Sequence, residues 1–115
     1  MQFNETELNI LKDIKNAGYS ISKITETPNR LDDVDLNLYI NLNNKPIGVA
    51  TEDSYGDNWS YNREINQTLM VFLETLCKKY KKIPFKKTFV TIDTHLLLSL
   101  MGSDFLRKKQ EKYGI

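Results

Sequence analysis

Apolar residues alternate with polar or amphipathic ones through Val34-Asp35-Leu36-Asn37-Leu38-Tyr39-Ile40-Asn41-Leu42. A period of two sustained over nine residues predicts a half-buried β-strand. Asn43-Asn44-Lys45-Pro46 supplies turn chemistry, and Ile47-Gly48-Val49-Ala50-Thr51 is the predicted antiparallel partner. Upstream, Asn4 followed three residues later by Glu7 has capping-box spacing, with Phe3 and Leu8 at the staple positions, so a helix is predicted from Glu5. Its predicted core face is Leu8, Leu11 and Ile14, and Gly18 stands where a left-handed terminator is wanted. Tyr19 to Thr25 reads as a strand, followed by a Thr27-Pro28-Asn29-Arg30 turn.

Downstream, Ser60 is the predicted cap of a long helix with Tyr61, Ile65, Leu69, Phe72, Leu76 and Tyr80 on its apolar face and Pro84 closing it. Lys87 to Asp93 reads as a further strand, apolar on both sides at its centre and therefore interior. Thr94 is the predicted cap of a short helix, Leu96 to Met101, ended by Gly102, and Ser103-Asp104 begins a last helix to about Tyr113. The predicted order is α-β-β-β-α-β-α: an α+β fold with helices packed on one face of a mainly antiparallel sheet. At 115 residues the chain is one domain, residues 1–115, large enough to bury about 65% of its unfolded surface. No internal repeat or linker interrupts it.

Composition narrows the setting. With 40% hydrophobic residues the chain has the material for a core. Its start carries no signal-peptide pattern and its longest apolar cluster, Leu96-Leu97-Leu98, falls far short of the ~20 residues of a membrane span, so a cytoplasmic protein is expected. A single cysteine, Cys77, excludes an internal disulfide. Eleven Asn, thirteen Lys and ten Ile beside two Ala match the codon bias of a low-GC bacterium or its phages. Charge is divided unevenly: residues 1–66 hold six basic and eleven acidic side chains, a net of −5, whereas residues 67–115 hold ten and four, a net of +6. Opposed charged regions of this kind act on association.

Catalytic sets are incomplete. One histidine, His95, and one cysteine, Cys77, carry no joint motif and are too few for a zinc site, and no phosphate-binding loop is present. No enzyme, metal or cofactor is therefore expected. The element order is also the core order of the PD-(D/E)XK nucleases, in which an Asp and a Glu on neighbouring strands bind Mg²⁺ and a Lys two residues after the Glu serves the attacking water. Asp35 and Glu52 occupy comparable places, but Ser54 stands at the lysine position, which leaves an inactive relative of that fold as a third reading.

Two patches remain as binding candidates. The acidic-aromatic stretch Glu52, Asp53, Tyr55, Asp57 and Trp59 lies on a connection between scaffold elements, where acids around Tyr and Trp suit a cationic protein partner. Lys78, Lys79, Lys81, Lys82, Lys86 and Lys87 place six cations within ten residues, suited to phosphates, with Tyr80 or Phe85 available for stacking and Arg107, Lys108, Lys109 and Lys112 as an extension. Cations at a helix C-terminus also complement its dipole, and lysines commonly form a helix's solvated face.

The stretch Ile10-Leu11-Lys12-Asp13-Ile14-Lys15-Asn16-Ala17-Gly18-Tyr19-Ser20-Ile21, the hairpin turn at Asn43-Asn44 and the acidic loop after it resemble the first half of small phage anti-CRISPR proteins, over about residues 8–57. Those proteins inhibit the type II CRISPR effector nuclease by imitating DNA phosphates with acidic side chains. The resemblance implies a non-enzymatic inhibitor or modulator of a host or defence protein, with Glu52, Asp53 and Asp57 as carried-over contacts. From residue 67 the chain departs from it, being basic where a DNA mimic is acidic. The alternative is a nucleic-acid-binding accessory protein using Lys78 to Lys87. Monomer and homodimer both stay open, since the strand Tyr19 to Thr25 or the helix Leu96 to Met101 serves either pairing or core packing.

Overall fold

Helix α1, Glu5–Asn16, begins as its residues dictate. Asn4 Oδ1 accepts from the Glu7 backbone N–H at 2.8 Å while Glu7 Oε1 accepts from the Asn4 N–H at 3.0 Å, so two orphan donors of the first turn are satisfied reciprocally. The buried stripe is Ile10 and Ile14 with Leu11 half-buried, not the expected Leu8, which is 47% exposed. Leu8 lies about 160° around the helix from Ile10, outside the sector that the neighbouring elements cover. The computed structural model of the chain describes residues 3–28, 33–52, 59–61 and 63–113, the side chains of Trp59, Tyr61, Arg63, Phe85 and 111–113 excepted.

Gly18 ends α1 with φ +94°, a conformation that disfavours any Cβ; a Cβ there would also collide with the Asn43 side chain. Its carbonyl accepts from Asn43 N–H at 2.8 Å, which ties the helix end to the tip of the main hairpin. The strands β1 (Tyr19–Pro28), β2 (Val34–Leu42), β3 (Lys45–Glu52) and β4 (Trp59–Tyr61) form an antiparallel meander in that order. The β2–β3 turn is Asn43-Asn44, both at positive φ (51° and 67°), as a two-residue hairpin requires. Register slips at Ile21/Lys23 and at Ile40/Asn41 mark bulges in β1 and β3.

Alternation then assigns the faces. Leu38 stands opposite Ala50 and Ile24, Ile40 opposite Gly48, and Leu38, Ile40 and Ala50 are buried at 2%, 1% and 0% exposure beneath the helices. The opposite face carries Thr25, Asn37 and Thr51, joined by hydrogen bonds in which Asn37 Nδ2 donates to Thr25 Oγ1 (3.2 Å) and Thr27 Oγ1 (2.8 Å) and Thr51 Oγ1 donates to Asn37 Oδ1 (2.9 Å). The expected α-β-β-β-α-β-α frame and its one-sided helical layer are thus the architecture, with three departures of detail.

First, the long helix is divided. Ser60 and Tyr61 pair with Thr51 and Ala50 as β4 instead of starting a helix; α2 (Arg63–Gln67) and α3 (Leu69–Tyr80) then follow with a break at Thr68. The Thr68 hydroxyl donates to the Glu64 carbonyl at 2.7 Å and competes with the helical ladder there. Second, the basic segment after α3 makes its own two-stranded ribbon, β5 (Lys82–Phe85) with β6 (Thr88–Thr91), rather than one interior strand. Third, α4 runs unbroken from Thr94 to Tyr113 through Gly102, and its cap is Asp93, whose Oδ1 accepts from Leu96 N–H at 2.8 Å. Gly102 lies over Leu38, with room for a Cβ at an ordinary 3.5 Å from the leucine's Cδ2. Leu97, Leu98 and Met101 of α4, Ile65, Leu69 and Leu73 of α2 and α3, and Ile10 and Ile14 complete one core.

Candidate functional site

The acidic-aromatic set does not gather into a described site. Glu52, the last residue of β3, stands opposite Leu36 and therefore points to the helical side, where its Oε2 accepts from Ser99 Oγ of α4 at 3.4 Å. Trp59 pairs with Glu52 at the start of β4. Asp53, Tyr55 and Asp57 lie outside the described residues. Asp35 is adjacent to Leu36 on β2 and opposite Thr27, so it projects from the face opposite to Glu52. The two carboxylates of the nuclease-like pair are thus separated by the sheet and do not converge on one cation. Among the described residues no cluster of three metal-ligating side chains occurs.

Cys77 is half-buried on α3 against the core. Burial pushes its thiol up, and the nearby charges of Asp93 and Glu74 push the same way, the reverse of what activates a thiolate. His95 is an exposed first-turn residue of α4.

The lysine cluster, by contrast, is assembled. Helix α3 ends with Lys81 at φ +63°, its N–H bonded to the Cys77 carbonyl at 3.0 Å, and this reversal throws the chain into β5. Ile92 N–H donates to the Lys81 carbonyl at 2.9 Å and closes the base of the ribbon. Lys86 and Lys87 form its tip, Lys86 at φ +54°. All six lysines are exposed. Lys79 has a structural role as well: Asp13 Oδ2 accepts from its Nζ at 2.8 Å and from the Tyr80 hydroxyl at 2.6 Å. The hydrogen bonds from Lys79 and Tyr80 hold the Asp13 carboxyl below the usual carboxylate range, against an opposing effect of burial, and the same bond raises the Lys79 ammonium. Tyr80 is therefore a bracket between α3 and α1 and not the exposed stacking residue expected of it, while the Phe85 side chain lies outside the described residues.

Among the described side chains the exposed aromatic is Phe89. Pairing of Lys82 with Thr91, Ile83 with Val90 and Pro84 with Phe89 puts Ile83 on the inner face, 6% exposed, and Lys82, Pro84 and Phe89 on the outer one. Phe89 is 63% exposed and Val90 39%. Sequence reasoning missed this residue by placing the strand inside. The available signal was the adjacent pair Phe89-Val90: in a ribbon covered on one side, neighbouring apolar residues cannot both face the core. On α4, Arg107 lies over the Phe3 ring at 5.0 Å and both Arg107 and Lys108 pair with Asp104, so these two cations are engaged locally rather than extending the ribbon.

The result is a basic ribbon, packed on one side and carrying a largely exposed phenyl ring on the other, a geometry that offers an aromatic platform beside several phosphate-sized contacts. No family model matches the chain, and neither a curated protein nor a solved structure matches it significantly. Among the described residues no helix is long and apolar enough to cross a membrane.

Proposed function

We propose that the chain binds single-stranded nucleic acid through the β5–β6 ribbon, with Phe89 stacking on a base and Lys81, Lys82, Lys86, Lys87 and Lys78 contacting the flanking phosphates. The observation that carries this reading is the 63% exposure of Phe89 on the outer face of a ribbon tipped by Lys86 and Lys87. Burying that ring against a base removes apolar surface from water in a site where each lysine contact also releases a counterion. Fluorescence anisotropy with labelled single-stranded and duplex DNA and RNA across a salt series tests it. The expected result is salt-sensitive binding that favours single strands, weakened about tenfold by Phe89→Ala, since a stacked base contributes about 1–3 kcal/mol. Absence of a salt-sensitive signal at low ionic strength would overturn it.

A second reading, a small non-enzymatic protein of phage or mobile-element origin that inhibits or modulates a host or defence protein in the anti-CRISPR manner, draws support from the pairing of Glu52 with Trp59. That pairing brings the two ends of the acidic stretch side by side at an edge of the sheet. In this reading Asp53, Tyr55, Asp57 and Trp59 meet a cationic partner, in the cytoplasm of a bacterial host. Pull-down from a low-GC host with Asp53→Lys and Asp57→Lys decides it: a specific partner retained by both variants removes the loop from the interface.

A further inference from the structure

Beside the C-terminal half of α1, between it, α4 and the start of β1, the surface is indented. A cleft of about 200 Å³ opens there, walled by Leu11, Ile14, Tyr19, Ile21, Met101 and Phe105. Apolar walls in an open cleft let a small ligand bury its nonpolar part while its polar end stays in water. Lys15, Lys108 and Asp104 complete the lining. The Asp104 carboxylate is already held by Arg107 at 3.2 Å and Lys108 at 3.0 Å, whereas Lys15 makes no ion pair with a described residue. Two lysines and one carboxylate thus stand at the rim of an apolar slot, a net charge of +1 among its lining residues.

We infer that this cleft binds a medium-chain monocarboxylate, tail inward and carboxylate between Lys15 and Lys108. At about 200 Å³ the cleft is of a size to take a short acyl tail such as that of an eight-carbon acid. The charge excess selects an anionic head over a cationic one, and the open mouth leaves that head partly hydrated, as one compact carboxylate requires. The site is independent of the β5–β6 ribbon: Asn4, which bonds the ribbon through Pro84, lies about 16 Å along α1 from Lys15.

Sodium octanoate, below its micellar concentration, titrated into the full chain and followed by amide NMR shifts tests the assignment, with butyrate and octylamine as comparison probes. Octanoate is expected to bind at least tenfold more tightly than butyrate, because each buried methylene adds favourably, and more tightly than octylamine. The largest shifts should fall on Leu11, Ser20, Ile21 and Phe105. Lys15→Met should weaken octanoate about tenfold while leaving the apolar walls intact, and Phe89→Ala should leave it unchanged. Equal binding of octylamine, shifts centred on the ribbon, undiminished binding by Lys15→Met, or no binding at all would each overturn the inference. A Lys15→Met variant altered only in thermal midpoint would assign that lysine to the α1 dipole alone.

Discussion

Two hairpins of this protein, β2–β3 and β5–β6, share a two-residue turn and an inward-facing apolar row, yet they end in opposite solvation. In the first, Leu38 and Ile40 are nearly inaccessible because α4 lies across them with Leu97, Leu98 and Met101. In the second, Ile83 is buried, but Phe89 faces outward and Val90, beside Ile83 on the inner face, is still 39% exposed; a tether to α1 is the bond from Asn4 Nδ2 to the Pro84 carbonyl at 3.0 Å. The difference lies in what covers each ribbon and not in the strands themselves. Apolar surface under a second layer stabilises the fold, whereas apolar surface amid lysines is available to a partner.

Substitutions can break this contrast, beginning with the strongest. Leu38→Ala should lower unfolding free energy by about 3 kcal/mol in urea titrations, since it empties a site enclosed by α4 and β3. A loss under about 1 kcal/mol would mean that α4 covers the sheet loosely. Gly18→Ala, at the junction that locks α1 to the β2–β3 turn, should cost about 2 kcal/mol, because the positive φ and the Asn43 side chain both oppose a Cβ. Asp13→Asn should cost about 1 kcal/mol by weakening the bracket to Tyr80 at the base of the small ribbon. Because the folded-state Asp13 carboxyl lies below its unfolded value, the benefit is complete above about pH 4 and disappears as pH falls through the lowered value. The gap between wild type and variant should therefore be flat from pH 7 to about pH 4 and close below it.

Two smaller effects sharpen the comparison. Gly102→Ala should stabilise the protein by about 0.5–1 kcal/mol, since the added Cβ meets Leu38 Cδ2 at an ordinary 3.5 Å and a helix-interior glycine is removed. Phe89→Ala should shift stability by less than about 0.5 kcal/mol while weakening nucleic-acid binding, the reverse of the Leu38→Ala profile. If Phe89→Ala instead unfolded the ribbon, as judged by hydrogen exchange of Ile83 and Ile92, the ring would belong to the fold.

Elements governed by near neighbours were legible from the residues. The Asn4–Glu7 box, the Gly18 terminator, the Asn43-Asn44 turn and the alternation of β2 each rest on contacts within a few positions. Ser60-Tyr61 was not legible as a strand, because its hydrogen bonds go to Ala50 and Thr51. Gly102 reads locally as a helix end, yet it lies inside α4, over Leu38 of the sheet. The candidate site divides in the same way: the density of lysines is plain in the chain, while the outward turn of Phe89, the capture of Tyr80 by Asp13 and the separation of Asp35 from Glu52 are not.

By itself the sequence determined the α+β class, the main hairpin and the uneven distribution of charge, since helix capping, turn conformation and side-chain alternation are local properties of the backbone. Only the tertiary structure decided which apolar residues are covered and which acids share a face. Burial depends on a second layer brought from elsewhere in the chain, and strand register, not sequence separation, sets the direction of each side chain.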